Sequence, residues 1–437
     1  MSEPVPARSA ESSAGAASPA AFTATLDQQP RIAVVGIGED GWDGLGQQAQ
    51  HVLTQADIVL GSERQLSLIA GYAAVTLPWP SPMTAAMQNL HTAHPGQRVA
   101  VLASGDPMFF GVGASLAARY GSEALDVYPH VSSASLACAR LGWALAEIDV
   151  VSAVGRPLAA VAAVLQPGRR VLVLVSETDS ATRLSELATA NGVEVELTVL
   201  ERLGGPHEAI RRVPEAERAS LRHDPLAIIA LDCAATTMPA YDGTARPIPL
   251  TTGIADDLWL SDGALTKREV RAVTLASLAP MPGQLLWDVG AGSGSIAIEW
   301  MRTHRSCRAV AIESREDRAA IIATNAERFG VPGLRIVLGR APQALVDLPA
   351  PDVIFIGGGL TRDGVVDACL AALPVGGRLV ANGVTIETEV ALARWHSELG
   401  GELIRLAVAH ADSLGSFTTF RPALPVTQWT YVKTTSS

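Results

Sequence analysis

An acid, three glycines and a second acid carry the clearest chemistry in the chain. Asp288 stands two residues before Gly290-Ala291-Gly292-Ser293-Gly294, and Glu313 follows after the length of one helix and one strand. A glycine turn between a strand and a helix lets a ligand approach the backbone and points helix N–H groups at it. A dinucleotide site requires G-x-G-x-x-G, and Ser295 stands where the third glycine belongs. Asp288 would repel a pyrophosphate but suits the ammonium of a methionine moiety, while Glu313 can accept two hydrogen bonds from ribose hydroxyls. The pattern therefore predicts S-adenosylmethionine (AdoMet). A turn that needs glycine only for positive φ would leave both acids unexplained. Gly339-Arg340-Ala341-Pro342 comes where an adenine-contacting loop belongs, because ligands of open α/β sheets sit at the carboxyl ends of the strands. Gly357-Gly358-Gly359 and Ala381-Asn382-Gly383 should border the methyl acceptor, although a lone Asn after a strand is as often a turn residue.

Nearer the start, Gly36-Ile37-Gly38-Glu39-Asp40-Gly41 matches the dinucleotide spacing literally, with Glu63 about one βα unit downstream. That reading is rejected, because Glu39 and Asp40 would put two negative charges where a pyrophosphate must lie. Gly105-Asp106-Pro107, inside Ser104–Gly111, follows an apolar run. Pro129-His130-Val131-Ser132-Ser133-Ala134 and Ser176-Glu177-Thr178 come later. From the residues alone, a functional loop and an ordinary turn whose Asp bonds its own backbone stay equally open for Gly-Asp-Pro.

The 437 residues, 48% hydrophobic and 18% charged, hold material for two or more cores. A net charge of −11 argues against general nucleic-acid binding, yet a local basic pocket for an anionic small substrate remains compatible with it. Cys138, Cys233, Cys307 and Cys369 show no CxxC or metal-ligand spacing and read as reduced core thiols, so no metal is expected. No stretch approaches the roughly 20 apolar residues of a membrane span. Residues 1–30, rich in Ala, Ser and Pro, lack the apolar region of a secretory signal. They read as a disordered tail on a cytoplasmic protein.

Strands and helices must position these residues. Apolar runs predict strands at Arg31–Val35, Ala56–Leu60, Arg98–Ala103, Val171–Val175, Val193–Leu200 and Leu226–Leu231, alternating with helical segments. That alternation marks an α/β domain with a mostly parallel sheet. Thr236 to Thr252 contains Pro239, Gly243, Pro247 and Pro249 with little periodicity, as a linker does. A predicted helix over Thr266–Ala279, stopped by Pro280, opens a second α/β series. Its predicted strands are Leu285–Val289, Ala309–Glu313, Arg335–Leu338, Asp352–Ile356, Arg378–Ala381, Glu402–Ala409 and Trp429–Lys433. Its predicted helices include Ser295–Thr303, Arg315–Phe329 and Glu387–Leu399. The expected domains are 31–235 and 258–437, joined by a linker over 236–257, and they do not repeat each other in sequence.

Gly36-Ile37-Gly38 and Gly105-Asp106-Pro107 together resemble the tetrapyrrole (precorrin) methylase family, and Val131 through Trp143 looks like the following segment of its C-5-methylating branch. Thr266-Lys267-Arg268-Glu269-Val270-Arg271, Asp288–Gly294 and Ala381 through Thr388 resemble the decarboxylating precorrin methyltransferases. The resemblance spans Arg31 to Lys433. It implies an N-terminal tetrapyrrole-methylase-type α/β domain followed by a C-terminal Rossmann-like class I AdoMet methyltransferase domain, with two AdoMet sites per chain. It further implies methylation of a precorrin-6 macrocycle at C-5 by the first domain. The second would methylate C-15 and release CO₂ from the C-12 acetate, giving precorrin-8 in cobalamin biosynthesis. The implied cofactor contacts are Gly36, Gly38, Gly105, Asp106, Pro107, Ser132 and Ser133 in the first domain. In the second they are Thr266, Asp288, Gly290, Ala291, Gly292, Ser293, Gly294, Glu313 and Ala341. Where this family often carries Cys or Thr within the glycine turn, the small Ala291 and Ser293 stand instead. The implied partner is an anionic tetrapyrrole, with no nucleic acid and no membrane, and the implied state is a homo-oligomer.

A sulfonium methyl is already a strong electrophile, so alignment and exclusion of water suffice, and no catalytic triad is expected. His410 and Asp412 are candidates for assisting decarboxylation, against the plainer reading of a surface loop pair. Lys267, Arg268, Arg271 and Arg340 are candidate partners for substrate carboxylates. Two further readings stand beside this one: a chain active only in its C-terminal domain, and a tetrapyrrole- or nucleotide-binding carrier.

Overall fold

The computed structural model describes residues 30–73, 75–234 and 246–434. Their contacts form two compact units, one of residues up to Ala146 with Leu200–Ile210, the other of Glu147–Val199 with Arg211 onward. Residues 1–29 of the predicted 1–30 tail, and residues 236–245 of the predicted linker, lie outside the described residues.

In the first unit, β1 (Ile32–Ile37), β2 (Ile58–Gly61), β3 (Thr76–Pro78), β4 (Val99–Ser104) and β5 (Leu125–Tyr128) form a sheet in the order β3-β2-β4-β1-β5. Every pairing is parallel. A parallel sheet covered on both faces needs strands that are apolar throughout, and Val34, Val35, Ile37 and Val99 to Ala103 are almost wholly buried. A second sheet holds β6 (Asp149–Ser152), β7 (Arg170–Leu174), β8 (Val195–Glu201), β9 (Ala209–Val213) and β10 (Ala227–Cys233), in the order β6-β7-β10-β8-β9. Here β7 and β10 run antiparallel. The predicted mostly parallel sheet is thus two sheets, a parallel one followed by a mixed one, since apolar runs carry no strand direction.

The C-terminal sheet contains β11 (Leu285–Val289), β12 (Arg308–Glu313), β13 (Arg335–Leu338), β14 (Val353–Ile356), β15 (Arg378–Gly383), β16 (Glu402–Leu406) and a last strand, β19 (Val426–Val432). Its order is β13-β12-β11-β14-β15-β19-β16. The first five are parallel, and β19 runs antiparallel to both neighbours. The order reverses beside β11, which opens a crevice at the carboxyl ends of β11 and β14. Trp259, Trp300 and Phe329 belong to one of the two cores of this sheet, and Trp287, Leu379 and Trp429 to the other. The predicted strand Glu402–Ala409 stops at Leu406, and β17 (Ala409–Leu414) turns back into β18 (Phe417–Pro422) as a hairpin. All six residues of β17 are exposed, so no burial alternation announced it.

The described part of the predicted linker is packed. Ile248 and Ile254 join the first of those cores. Gly253 and Ile254 donate N–H to Glu299 at 2.7 and 3.0 Å. Among the described residues, all four cysteines are buried and unpaired, and no cluster of His, Cys, Asp and Glu is arranged to hold a metal. No helix among them is long and apolar enough to cross a membrane.

Candidate active site

A cavity of about 950 Å³ opens where the C-terminal strands end. Its walls follow the sheet order: Gly339 to Ala341 after β13, Glu313 on β12, Gly290 to Gly292 after β11, Gly357 to Gly359 after β14, and Asn382 on β15. Leu406 on β16 and Val426, which begins β19, complete the far side. The sequence-predicted Thr266, Gly290, Ala291, Gly292, Glu313 and Ala341 thus share one cavity.

The glycine turn is a backbone requirement. Gly290, Gly292 and Gly294 have φ of +75°, +59° and +78°. A Cβ on Gly290 would stand 2.7 Å from the backbone of Gly358, so the turn after β11 touches the turn after β14 at the switch point. The next strand fastens the turn from below. Ile312 O accepts from Gly290 N and Ala291 N at 2.9 and 3.1 Å, and Glu313 Oε2 accepts from Gly292 N at 3.0 Å. Glu313 Oε1 accepts from Ser314 N and Arg315 N at 2.7 and 3.0 Å. Backbone donors therefore fill most of the carboxylate's roughly four acceptor positions, leaving one on Oε2 for a hydroxyl.

Asp288 lies beneath this turn, 1% exposed and off the cavity wall. Its Oδ2 accepts from Ala297 N at 3.1 Å, which ties it to the first turn of the helix Ser295–Thr303. Among the described residues, Oδ1 has no hydrogen-bond partner, and neither has the buried Ser293 Oγ. Burial pushes the Asp288 carboxyl up to about 7, the Ala297 N–H partly opposes the rise, and the charge on Glu313 adds to it. Orphaned buried polar atoms are rare in native proteins. Together with the glycine cradle, they fit a bound group that brings a positive charge to the turn, as AdoMet does.

The basic residues divide. Lys267 and Arg340 line the cavity, while Arg268 does not. Arg271, predicted to rim the cleft, is instead wholly buried. It donates to Glu299 at 2.6 Å, to Asp256 at 3.2 Å and to the carbonyls of Thr266 and Ile254. A guanidinium with so many donors suits a buried hub better than a substrate clamp. Asn325, also fully buried, joins Leu260 to Ser293 O through the turn's underside. Arg362, which sequence reasoning missed, lines the cavity three residues past Gly359 without an ion pair among the described residues. His410 is on the wall with its Nε2 3.8 Å from Glu269 Oε2, whereas Asp412 pairs across the hairpin with Arg421 at 3.0 Å. Asn382 is no turn residue: it sits within β15, bonded to Thr274 and Gln428 at 2.9 Å each.

In the first unit, β1, β4 and β5 are neighbours and their carboxyl ends gather the predicted residues. A Cβ on Gly36 would meet Gly105 O at 2.1 Å and His130 N at 2.7 Å, and one on Gly38 would meet the His130 ring at 2.9 Å. Gly105, with φ +60°, approaches Ser132 and Ser133. Ser132 Oγ caps the helix Ser133–Leu141 by accepting from Ser135 N at 3.0 Å. Asp106 Oδ1 accepts from Met108 N at 2.8 Å, the local turn that the residues allowed. Pro107 leads into Met108, Phe109 and Phe110, which present exposed apolar side chains. Glu39 pairs with Arg64, and Asp40 lies 3.4 Å from His130 Nε2, so the two acids are partnered rather than bare. A dinucleotide site fails here for a further reason: Gly41 opens a single short turn, and the next helix begins only at Gln47. Ser176-Glu177-Thr178 follows β7 in the other unit, with Glu177 bonded to Arg183.

Residues 31–219 match the family model described as Tetrapyrrole (Corrin/Porphyrin) Methylases, and residues 257–433 match the Precorrin methyltransferase domain. Over 410 residues the chain is 48% identical to the precorrin-6Y C(5,15)-methyltransferase [decarboxylating] of a Sinorhizobium species, covering 92% of this chain and 97% of that one. It is 43% identical over 405 residues to the protein of the same name from Mycobacterium tuberculosis strain H37Rv, covering 92% and 100%. The crystal structure of the C-terminal domain of precorrin-6Y C5,15-methyltransferase from Rhodobacter capsulatus is 41% identical, with all of it matched to 43% of this chain at a TM-score of 0.41.

Proposed function

The chain belongs to the precorrin-6Y C(5,15)-methyltransferase (decarboxylating) family, and from that premise we propose how its two halves divide the work. The substrate is a precorrin-6 macrocycle. The first domain methylates C-5; the second methylates C-15 and releases CO₂ from the C-12 acetate, giving precorrin-8 for cobalamin biosynthesis. The observation that carries the reading of the second domain is the single cavity of about 950 Å³. It joins the glycine turn and Glu313 on one side to Asn382 and an apolar wall on the other. That volume lies at the upper end for small-molecule sites, as a cofactor beside a tetrapyrrole requires.

AdoMet, when bound, supplies an electrophilic methyl group. The residues of the chain then have three tasks. Glu313 holds a ribose hydroxyl with its remaining acceptor position, Ala341 and Thr266 flank the bound cofactor, and ionised Asp288 balances its positive charge across the turn. Phe355, Val384, Leu406 and Val408 exclude water from the reacting carbon. Lys267, Arg340 and Arg362 meet the peripheral carboxylates of the macrocycle. A second AdoMet site is assigned to Gly36, Gly38, Gly105 through Pro107, Ser132 and Ser133, supported by their convergence at the ends of β1, β4 and β5.

The protein acts as a homo-oligomer in the cytoplasm. Phe417 and its cross-strand partner Leu414, 77% and 59% exposed, present an apolar surface on one face of the hairpin that self-association would cover. Equilibrium titration with AdoMet tests the two-site reading: two equivalents per chain are expected, and one would refute it. In product analysis by mass spectrometry, Asp288→Ala should abolish C-15 methylation and leave C-5 methylation measurable.

A further inference from the structure

Asn382 stands on a cavity wall to which the adjacent strands contribute the apolar Phe355 from β14 and Val426 from β19, with Leu406 from β16 beyond. Its amide is held in one orientation by a buried network. Thr274 Oγ donates its only proton to Val270 O at 2.8 Å, so it can only accept from other groups. It accepts from Asn382 Nδ2 at 2.9 Å and from Gln428 Nε2 at 3.0 Å. Gln428 Nε2 also donates to Asn382 Oδ1 at 2.9 Å, and Gln428 Oε1 accepts from Ser277 at 2.8 Å. Thr274 and Gln428 are both fully buried. Flipping either amide would set an oxygen against the saturated Thr274 hydroxyl. Asn382 therefore keeps its nitrogen fixed, and its second N–H has no partner among the described residues. This apolar stretch of wall thus carries an oriented, uncharged donor.

We propose that this N–H binds the acetate that leaves as CO₂, and that its neutrality singles out that acetate from the other carboxylates of the substrate. This rests on the decarboxylating reading of the cavity given above. In the step, the bond between the CH₂ and the carboxylate carbon of the acetate breaks. Its electron pair passes into the conjugated ring, CO₂ departs, and a proton from water converts the CH₂ to CH₃. Negative charge thus leaves the carboxylate. A carboxylate paired with Arg340, Arg362 or Lys267 would have to surrender an ion pair to react, so those groups bind and persist. A carboxylate held by a neutral amide on a dry wall surrenders much less, and its weak solvation favours release of uncharged CO₂. Asn382 fixes the plane of the leaving group without stabilising its charge strongly.

The test uses the full chain with AdoMet and precorrin-6 acceptor, and mass spectrometry of the products. In Asn382→Leu, the ratio of decarboxylated to acetate-retaining C-15-methylated product should fall roughly ten- to hundredfold, the range for one hydrogen bond to a charged group. In Asn382→Gln, which restores an amide donor, the ratio should largely recover. Arg362→Ala should raise the acceptor KM and leave the ratio unchanged. An unchanged ratio in Asn382→Leu, or an equal fall in methylation and decarboxylation, overturns the proposal. AdoMet titration reports folding of each variant. If Asn382→Leu does not bind AdoMet, Asn382→Ser, which shortens the donor, takes its place with the same outcomes. A wild-type chain that yields no decarboxylated product would refute the function itself, a result distinct from either variant's.

Discussion

Replacing Asp288 with Asn exchanges a buried carboxyl for a neutral group of the same shape, and the consequence depends on pH. The wild-type carboxyl titrates at about 7 in the folded chain against 3.8 in its ordinary state. A folded pKa raised above the unfolded one means that the folded protein holds the extra proton between those values. The stability that this proton confers is complete below pH 3.8 and is lost as pH rises through about 7. At about 1.4 kcal/mol per unit, wild-type stability without cofactor should fall by about 3 kcal/mol between pH 5 and pH 8 from this group. Asn does not titrate, so the stability difference between variant and wild type should grow by that amount across the same interval. Urea unfolding without cofactor, followed by tryptophan fluorescence, reads it, because Trp287 flanks the site and Trp300 lies on the helix above. Binding gives a second readout. A cofactor that brings positive charge to the turn should ionise Asp288 and release about 0.9 proton at pH 6 but about 0.1 at pH 8, as follows from a pKa near 7. Calorimetry in buffers of different ionisation heat measures this, and Asp288→Asn should release none and bind at least about tenfold more weakly. Parallel stability curves for variant and wild type, together with proton release that does not vary with pH, would refute the account of Asp288 as a buried charge reserved for the cofactor.

Two other substitutions probe the frame around the turn. Gly290→Ala puts a Cβ 2.7 Å from Gly358 at φ +75°. It should cost about 1–2 kcal/mol for the left-handed backbone alone and reduce AdoMet titration from two equivalents per chain to one. Arg271→Ala leaves Glu299 buried without its guanidinium, and should destabilise the second unit by about 3–5 kcal/mol, visible as a lower midpoint of thermal unfolding.

What the sequence reveals here follows what it encodes locally. β11, the glycine turn and Glu313 are close in the chain, and their spacing carries strand, turn, helix and strand together, so the side of the cavity that they line was legible. Arg271 was misplaced because Lys267, Arg268 and Arg271 look like a basic face. Only Glu299, on the helix after the turn, shows that the last of them points inward. The Asn382 network is still less visible, since its partners Thr274 and Gln428 lie 108 and 46 residues away. The hairpin of β17 and β18 escaped notice because its exposed residues leave no periodic trace. In the first unit, β3 is a short exposed edge and went unpredicted, while the buried β1 and β4 were plain.

The strap from Gly253 to Leu260 bears on where the methyltransferase can be separated from the rest of the chain. The family resemblance of the C-terminal half begins at residue 257. A fragment cut there would keep Arg271 and Glu299 but lose the two N–H groups of Gly253 and Ile254, the Ile254 carbonyl and the Asp256 carboxylate that bond them. Two charges solvated only by protein would then draw water into the floor of the cavity. The smallest piece that is recognisable by descent is thus shorter than the smallest piece whose interior is electrically complete. Ancestry and self-sufficiency draw their borders at different residues of this chain.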